Sequence, residues 1–231
     1  MRNYFNLDDQ QMARPGPHLS RVLLLFVAVL AALILFGVLA EDVAEGDSIF
    51  FDQPVLFWLR GFSSEPLDQL MRAVTWLGSA AVIIPLLLLA AWRLQWQRWP
   101  VIYLATANLG VLLLNLAAKH GFERMRPAFW APLVPVSSYS FPSGHAMQSM
   151  ALACSLLVVA AGLRQKWAWR LLAAAYVVAV GTSRMYLGVH YPSDVLAGWC
   201  ASFCWCAGLA YATRRMRMNH QNGSFSLRQR M

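Results

Sequence analysis

Three short clusters of basic and imidazole side chains stand where apolar stretches of this chain give way to polar ones. Lys119 is followed, after six residues, by Arg126-Pro127. Pro142-Ser143-Gly144-His145 comes next, and then Ser183-Arg184, five residues, His190, three residues and Asp194. Ionisable groups at the ends of apolar spans are expensive and tend to mark function. These types together hold what phosphoryl transfer needs: cations for the phosphoryl oxygens, a nucleophile with an orienting carboxylate, and a second group able to carry a proton.

Each cluster has its own physical reading. A Lys point charge and a planar Arg fork suit a phosphoryl group, the Arg able to bind two oxygens at once. A snorkelling Lys119 and a headgroup-binding Arg126 are the structural alternative for that pair. Ser143 is a good N-cap, Gly144 lets backbone approach a ligand, and the free N–H groups of a helix start attract anions. His145 then stands beside the anion, although a lone His at a helix end is more often structural. Pro192 starts a helix whose first turn holds Asp194. A carboxylate four residues after His190 can accept the proton of one ring nitrogen and leave the other lone pair free to attack. The alternative there is a capping Asp beside a surface His.

The elements that must position these residues are apolar helices. Of the 231 residues, 58% are hydrophobic and 13% charged, which fits a membrane protein better than a soluble one. Apolar runs recur at 20–40, 73–92, 100–118, 145–163, 168–185 and 192–212. Each is long enough to cross a hydrocarbon core of about 30 Å at about 1.5 Å per residue, and lipid demands a self-satisfied backbone, so all six are read as helices. Pro85 is expected to kink the second. The first is read as a retained anchor rather than a cleaved signal peptide, because its apolar run exceeds the usual h-region. Residues 41–72, rich in large apolar side chains (Phe50, Phe51, Phe57, Trp58), are read as a segment lying flat in the outer interface, or as a lip guiding a lipid tail.

Charge sets the orientation. Arg14 and Arg21, then Arg93 and Arg98, then Arg164, Lys166 and Arg170, and finally Arg214, Arg215 and Arg217 all fall on one side of a six-span chain. The positive-inside rule makes that side, with both termini, cytoplasmic. The three clusters then share the outer face, where positive charge runs against the bias and implies an anion to receive it. The net charge of +8 is distributed in short bursts, which excludes nucleic acid as a partner. Cys154, Cys200, Cys204 and Cys206 lie in apolar runs without zinc-ligand spacing and are read as packing residues. No outer carboxylate cluster resembles a metal cage, so neither metal nor cofactor is expected, and nothing calls for a protein partner. The expected organisation is one domain over 1–218 and a disordered polar tail over 219–231.

The three clusters resemble the signature of the type 2 phosphatidic acid phosphatase (PAP2) superfamily: Lys-x6-Arg-Pro, Pro-Ser-Gly-His and Ser-Arg-x5-His-x3-Asp. Every position is present, within residues 119–198. The resemblance implies an all-α integral membrane bundle and a metal-independent, two-step lipid phosphatase of a bacterial inner membrane, its site facing the periplasm. His190 would attack phosphorus, Asp194 would orient it, and His145 would protonate the leaving oxygen and later activate water. Lys119, Arg126, Arg184, Ser143 and Gly144 would hold the phosphoryl oxygens. The leading substrate is undecaprenyl diphosphate. Phosphatidylglycerol phosphate, phosphatidic acid and lipid A phosphates are the alternatives, and a lipid phosphotransferase would use the same site.

Overall fold

A computed structural model describes residues 17–94, 97–160, 166–213 and 218. Among them are eight helices and no strand: α1 (Pro17–Glu45), α2 (Asp52–Arg60), α3 (Glu65–Trp76), α4 (Ala80–Arg93), α5 (Arg98–Phe122), α6 (Gly144–Val159), α7 (Lys166–Tyr186) and α8 (Pro192–Ala212). The tail 219–231 and the orienting charges Arg14, Arg164, Arg214, Arg215 and Arg217 lie outside the described residues.

Each of the six apolar runs is built on helix where it is described, the second broken at 77–79, but they are not equal. Three helical segments, Val22–Glu45, Arg98–Phe122 and Pro192–Ala212, are long and apolar enough to cross a membrane, and α3 with α4 makes a fourth if the bent pair is one span. α6 is apolar but has 16 residues, about 24 Å. α7 has 21 residues but carries Lys166, Arg170 and Arg184. Pro85 lies inside α4, which runs on through it, and a 45° bend falls earlier, at the break between Trp76 and Ala80. The Gly78 and Ser79 N–H groups close this turn onto the Thr75 and Trp76 carbonyls, and the Ser79 hydroxyl donates to Trp76 as well. Gly78 is required because a Cβ there would lie 2.6 Å from Val180 Cγ1 and 3.2 Å from the His145 ring.

α6 packs against α5, α7 and α8, and α1 lies along α8. Small residues set these distances, as expected where apolar surface alone gives helices no reason to associate in lipid. Cβ atoms added at Gly110 and Gly181 would stand 2.2 Å from the indoles of Trp205 and Trp199, so α8 presses two tryptophans onto bare backbone of α5 and α7. Gly181→Ala is therefore expected to destabilise the bundle by about 1–3 kcal/mol through overpacking, read as a lower thermal midpoint in detergent. Cys206 packs with Ala107, Val111, Met147 and Ala151, with Cys154 against the cluster, and all four cysteines are free thiols. The side chains of α1 from Val22 to Phe26 are more than half exposed, an apolar surface suited to lipid.

The outer segment is less simple than a flat helix. α1 continues to Glu45 and α3 begins at Glu65, so α2 is the one helix that lies wholly within this segment. Trp58 is exposed on one face, while Leu56, Leu59 and Asp52 are buried on the other. That buried carboxylate ties α2 to the end of the bundle where the clusters meet.

Candidate active site

The end of α5, the start of α6, the end of α7 and the start of α8 lie at one end of the bundle. The packing of Gly144 on Asn115, of Gly198 on Met147 and of Gly181 on Val195 fixes that arrangement. Each cluster thus occupies a helix terminus or the loop beside it. α5 stops because Glu123 adopts a left-handed backbone, φ 47°, its N–H still bonded to the Lys119 carbonyl; the chain then turns into Arg124 and Arg126.

His190 sits in the α7–α8 loop and is 2% exposed. Its Nε2 lies 3.2 Å from Arg126 Nη1. A guanidinium only donates, so Nε2 presents its lone pair and the proton of the neutral ring is on Nδ1. Nδ1 faces Asp194 Oδ2 and Ser140 Oγ, each at 3.4 Å. Burial first, then the Arg184 and Arg126 charges, outweigh the pull of Asp194 and push the His190 pKa down to about 3. The ring is neutral at physiological pH, as a nucleophile must be.

Asp194 is fully buried and both of its carboxylate oxygens accept hydrogen bonds. Oδ2 accepts from the Ser140 hydroxyl and, at 2.8 Å, from the Tyr191 N–H. Oδ1 accepts from Arg124 Nη1 at 2.6 Å. Arg124 reaches Asp52 Oδ2 at 2.8 Å with its other nitrogen and lies over the Tyr191 ring, 4.2 Å from its centroid. Burial opposes the Arg124 charge, but Asp194 and Asp52 outweigh it and raise the pKa.

The remaining cations are pinned from behind. Lys119 Nζ donates to Ser138 Oγ at 2.8 Å and to the Tyr139 carbonyl at 2.6 Å. Arg126 Nε donates to the Ser138 carbonyl at 2.7 Å and Nη1 to that of Val189, so residues 138–139 brace both. Burial lowers the Arg126 pKa, partly offset by Asp194, without threatening its charge. Arg184, 4% exposed, donates from Nη1 to Thr75 Oγ1 at 2.7 Å, while its Nε is buried with no partner. The Ser143 hydroxyl is also buried and without a partner. His145, held against Gly78, lies within electrostatic range of Arg184, His190, Lys119 and Arg126.

The structure therefore brings together Lys119, Arg126, Ser143, Gly144, His145, Arg184, His190 and Asp194. Two details differ from expectation. Ser143 occupies the N-cap position of α6 but makes no side-chain cap; its N–H donates to the Asp194 carbonyl instead, and the hydroxyl is left unpaired. The side of Gly144 where a Cβ would project is filled by Asn115 Oδ1, 3.0 Å away, so that glycine serves helix packing there. Asp52, Arg124, Ser140 and Thr75 were not assigned to the site from sequence. Arg124 could be noticed as a cation against the topological bias; Asp52 gave no local signal.

The chain belongs to the PAP2 superfamily, whose sequence profile matches residues 99–218. It is 33% identical over 189 residues to phosphatidylglycerophosphatase B of Bacillus subtilis, covering 77% of this chain and 86% of that protein. It is 38% identical over 84 residues to the undecaprenyl-diphosphatase of Sulfolobus acidocaldarius, covering 36% and 38% of the two chains. The crystal structure of a transmembrane PAP2 type phosphatidylglycerolphosphate phosphatase from Bacillus subtilis is similar, with a TM-score of 0.69 and 28% identity, covering 81% of this chain and 96% of that one. The protein is thus a membrane phosphatase, a hydrolase of phosphoric esters.

Proposed function

We propose that this protein hydrolyses a membrane lipid phosphate through a phosphohistidine at His190. The observation that carries the reading is the pair of buried, unpartnered donors, Arg184 Nε and Ser143 Oγ, in the same site as His190, whose Nε2 lone pair faces the Arg126 guanidinium. Buried polar atoms cost free energy when unmatched, and a phosphoryl group would match both. In the first step the Nε2 lone pair forms a bond to phosphorus, and the bond from that phosphorus to the leaving oxygen breaks, the ester oxygen of a monophosphate or the bridging oxygen of a diphosphate. His145 gives that oxygen a proton; the dianionic phosphoryl group beside it favours the protonated ring. Asp194 stays ionised and balances the imidazolium. In the second step water loses a proton to His145, attacks phosphorus and frees His190 with inorganic phosphate. Lys119, Arg126, Arg184 and the Ser143 hydroxyl stabilise the charge that redistributes on the phosphoryl oxygens.

In this reading 1–218 form one domain of six spans with both termini cytoplasmic, and the site opens to the periplasmic face of a bacterial inner membrane. α6 and α7 cross despite their length and polarity because their site ends need only reach the interface. The substrate we propose first is undecaprenyl diphosphate, its headgroup at the helix ends and its tail in the bilayer. Phosphatidylglycerol phosphate is the second, favoured by the broad coverage of the Bacillus subtilis relative. Phosphate release by purified protein from a panel of isoprenoid, glycerol and saccharide lipid phosphates, with His190→Ala as blank, tests both. Transfer to a second lipid without free phosphate would make the enzyme a phosphotransferase instead.

Among the described residues no group of three or more His, Cys, Asp or Glu is arranged to hold a metal ion. Three fixed cations are placed to do what Mg²⁺ does in other phosphoryl transfers. Activity is therefore expected to survive EDTA unchanged. Strong inhibition that Mg²⁺ reverses would contradict it.

A further inference from the structure

Asp52 is the first residue of α2, 4% exposed, and lies 142 positions before the carboxylate of the site. A buried carboxylate in a helix whose other face is apolar requires strong partners. It has three bonds: from the Ser193 N–H at 2.8 Å, the Ser193 hydroxyl at 2.6 Å and Arg124 Nη2 at 2.8 Å. Arg124 Nη1 then donates to Asp194 Oδ1 at 2.6 Å and to Ser193 Oγ at 2.7 Å. The guanidinium fork is spread between two carboxylates, one from the outer helix and one from the site.

We propose that Arg124 and Asp52 are positioning residues for the nucleophile, acting as a clamp behind Asp194. The inference rests on the reading of His190 as nucleophile. Arg124 fixes Oδ1, so that Oδ2 alone is turned to His190 Nδ1. This cation would also cancel the charge Asp194 must offer. Asp52 prevents that: Asp52, Arg124 and Asp194 carry formal charges of −1, +1 and −1, a net of one negative charge. That charge faces the imidazole, which becomes cationic when Nε2 bonds to phosphorus, in a site where charges are weakly screened. Arg124 touches neither Nε2 nor the group formed by Lys119, Arg126 and Arg184 through any hydrogen bond, so its part is orientation and charge rather than substrate binding.

The test is a double-mutant cycle on the full chain in detergent, using undecaprenyl diphosphate and phosphatidylglycerol phosphate as substrates. Asp52→Asn keeps the shape and the acceptor for the Ser193 N–H but removes the charge. It is expected to lower kcat roughly 10- to 100-fold with KM changed by less than about threefold, the scale set by small misplacements around a reacting group. In an Arg124→Gln background the same change is expected to cost less than about threefold, because the charge of Asp52 reaches Asp194 through Arg124 while the asparagine keeps the acceptor for the Ser193 N–H. Equal losses in both backgrounds, or a kcat within about twofold of wild type for Asp52→Asn, would overturn the clamp. Arg124→Lys is an independent check should Asp52→Asn not be recovered folded. The ammonium lacks the rigid planar fork that here spans the two carboxylates, so kcat should fall at near-constant KM; an unaltered kcat would overturn the clamp as well. His190→Ala runs alongside: an inactive His190→Ala with a normal Asp52→Asn removes only the clamp, whereas an active one removes the nucleophile itself.

Discussion

His190→Ala is expected to lower phosphate release by on the order of 10⁴-fold or more, which is about 5 kcal/mol or more of transition-state free energy. The reason is that no neighbour can replace it. Asp194, the nearest carboxylate, is fully buried and held in place by hydrogen bonds from Ser140, Tyr191 and Arg124. What survives would come from the cations alone, which still bind and polarise the phosphoryl group. KM should therefore change far less than kcat.

His145→Ala carries the second largest effect, a fall of roughly 10²- to 10⁴-fold, typical of a lost general acid or base. Its signature is dependence on the leaving group. A lipid alkoxide needs a proton as it departs, whereas an aryl oxide or a lipid monophosphate departs readily without one. The variant should be strongly impaired on phosphatidylglycerol phosphate and much less so, in its first step, on 4-nitrophenyl phosphate. Equal impairment on both would mean that His145 holds the phosphoryl group rather than moving a proton. Its place against Gly78 gives this residue a second dependence, since any side chain at 78 would push the ring away.

Much of this site was legible because its parts are local. His190 and Asp194 are four residues apart at a helix start, and Ser143-Gly144-His145 opens another helix. Helices of alternating direction then bring such termini to one end without further information. What escaped were the residues whose meaning is set by distant partners. Asp52 sits in a segment that composition marks as interfacial, and only the fold shows its carboxylate buried against Ser193 and Arg124. Ser140 reads as an ordinary loop serine until its hydroxyl is seen between Asp194 and His190. Thr75, inside an apolar run, is a packing residue until Arg184 reaches it. The break at Gly78 was missed for a related reason. Proline is a visible helix breaker, but the bend occurs where α6 and α7 press His145 and Val180 onto the chain, which no local pattern reports. α7 was read as an ordinary span although three cations lower its apolarity; Arg184 is tolerated because it is buried on Thr75 within the site.

The central claim is that a phosphoryl group rests on His190 between two chemical steps. The most direct measurement is a base quench of enzyme turning over a lipid phosphate labelled in its phosphoryl group, followed by mapping of the label on the protein. The account predicts an acid-labile, base-stable label on the peptide holding His190, absent from His190→Ala and increased in His145→Ala, where water attack is slowed. A label on a serine or an aspartate, or single-turnover hydrolysis with no label on the protein at all, would contradict it.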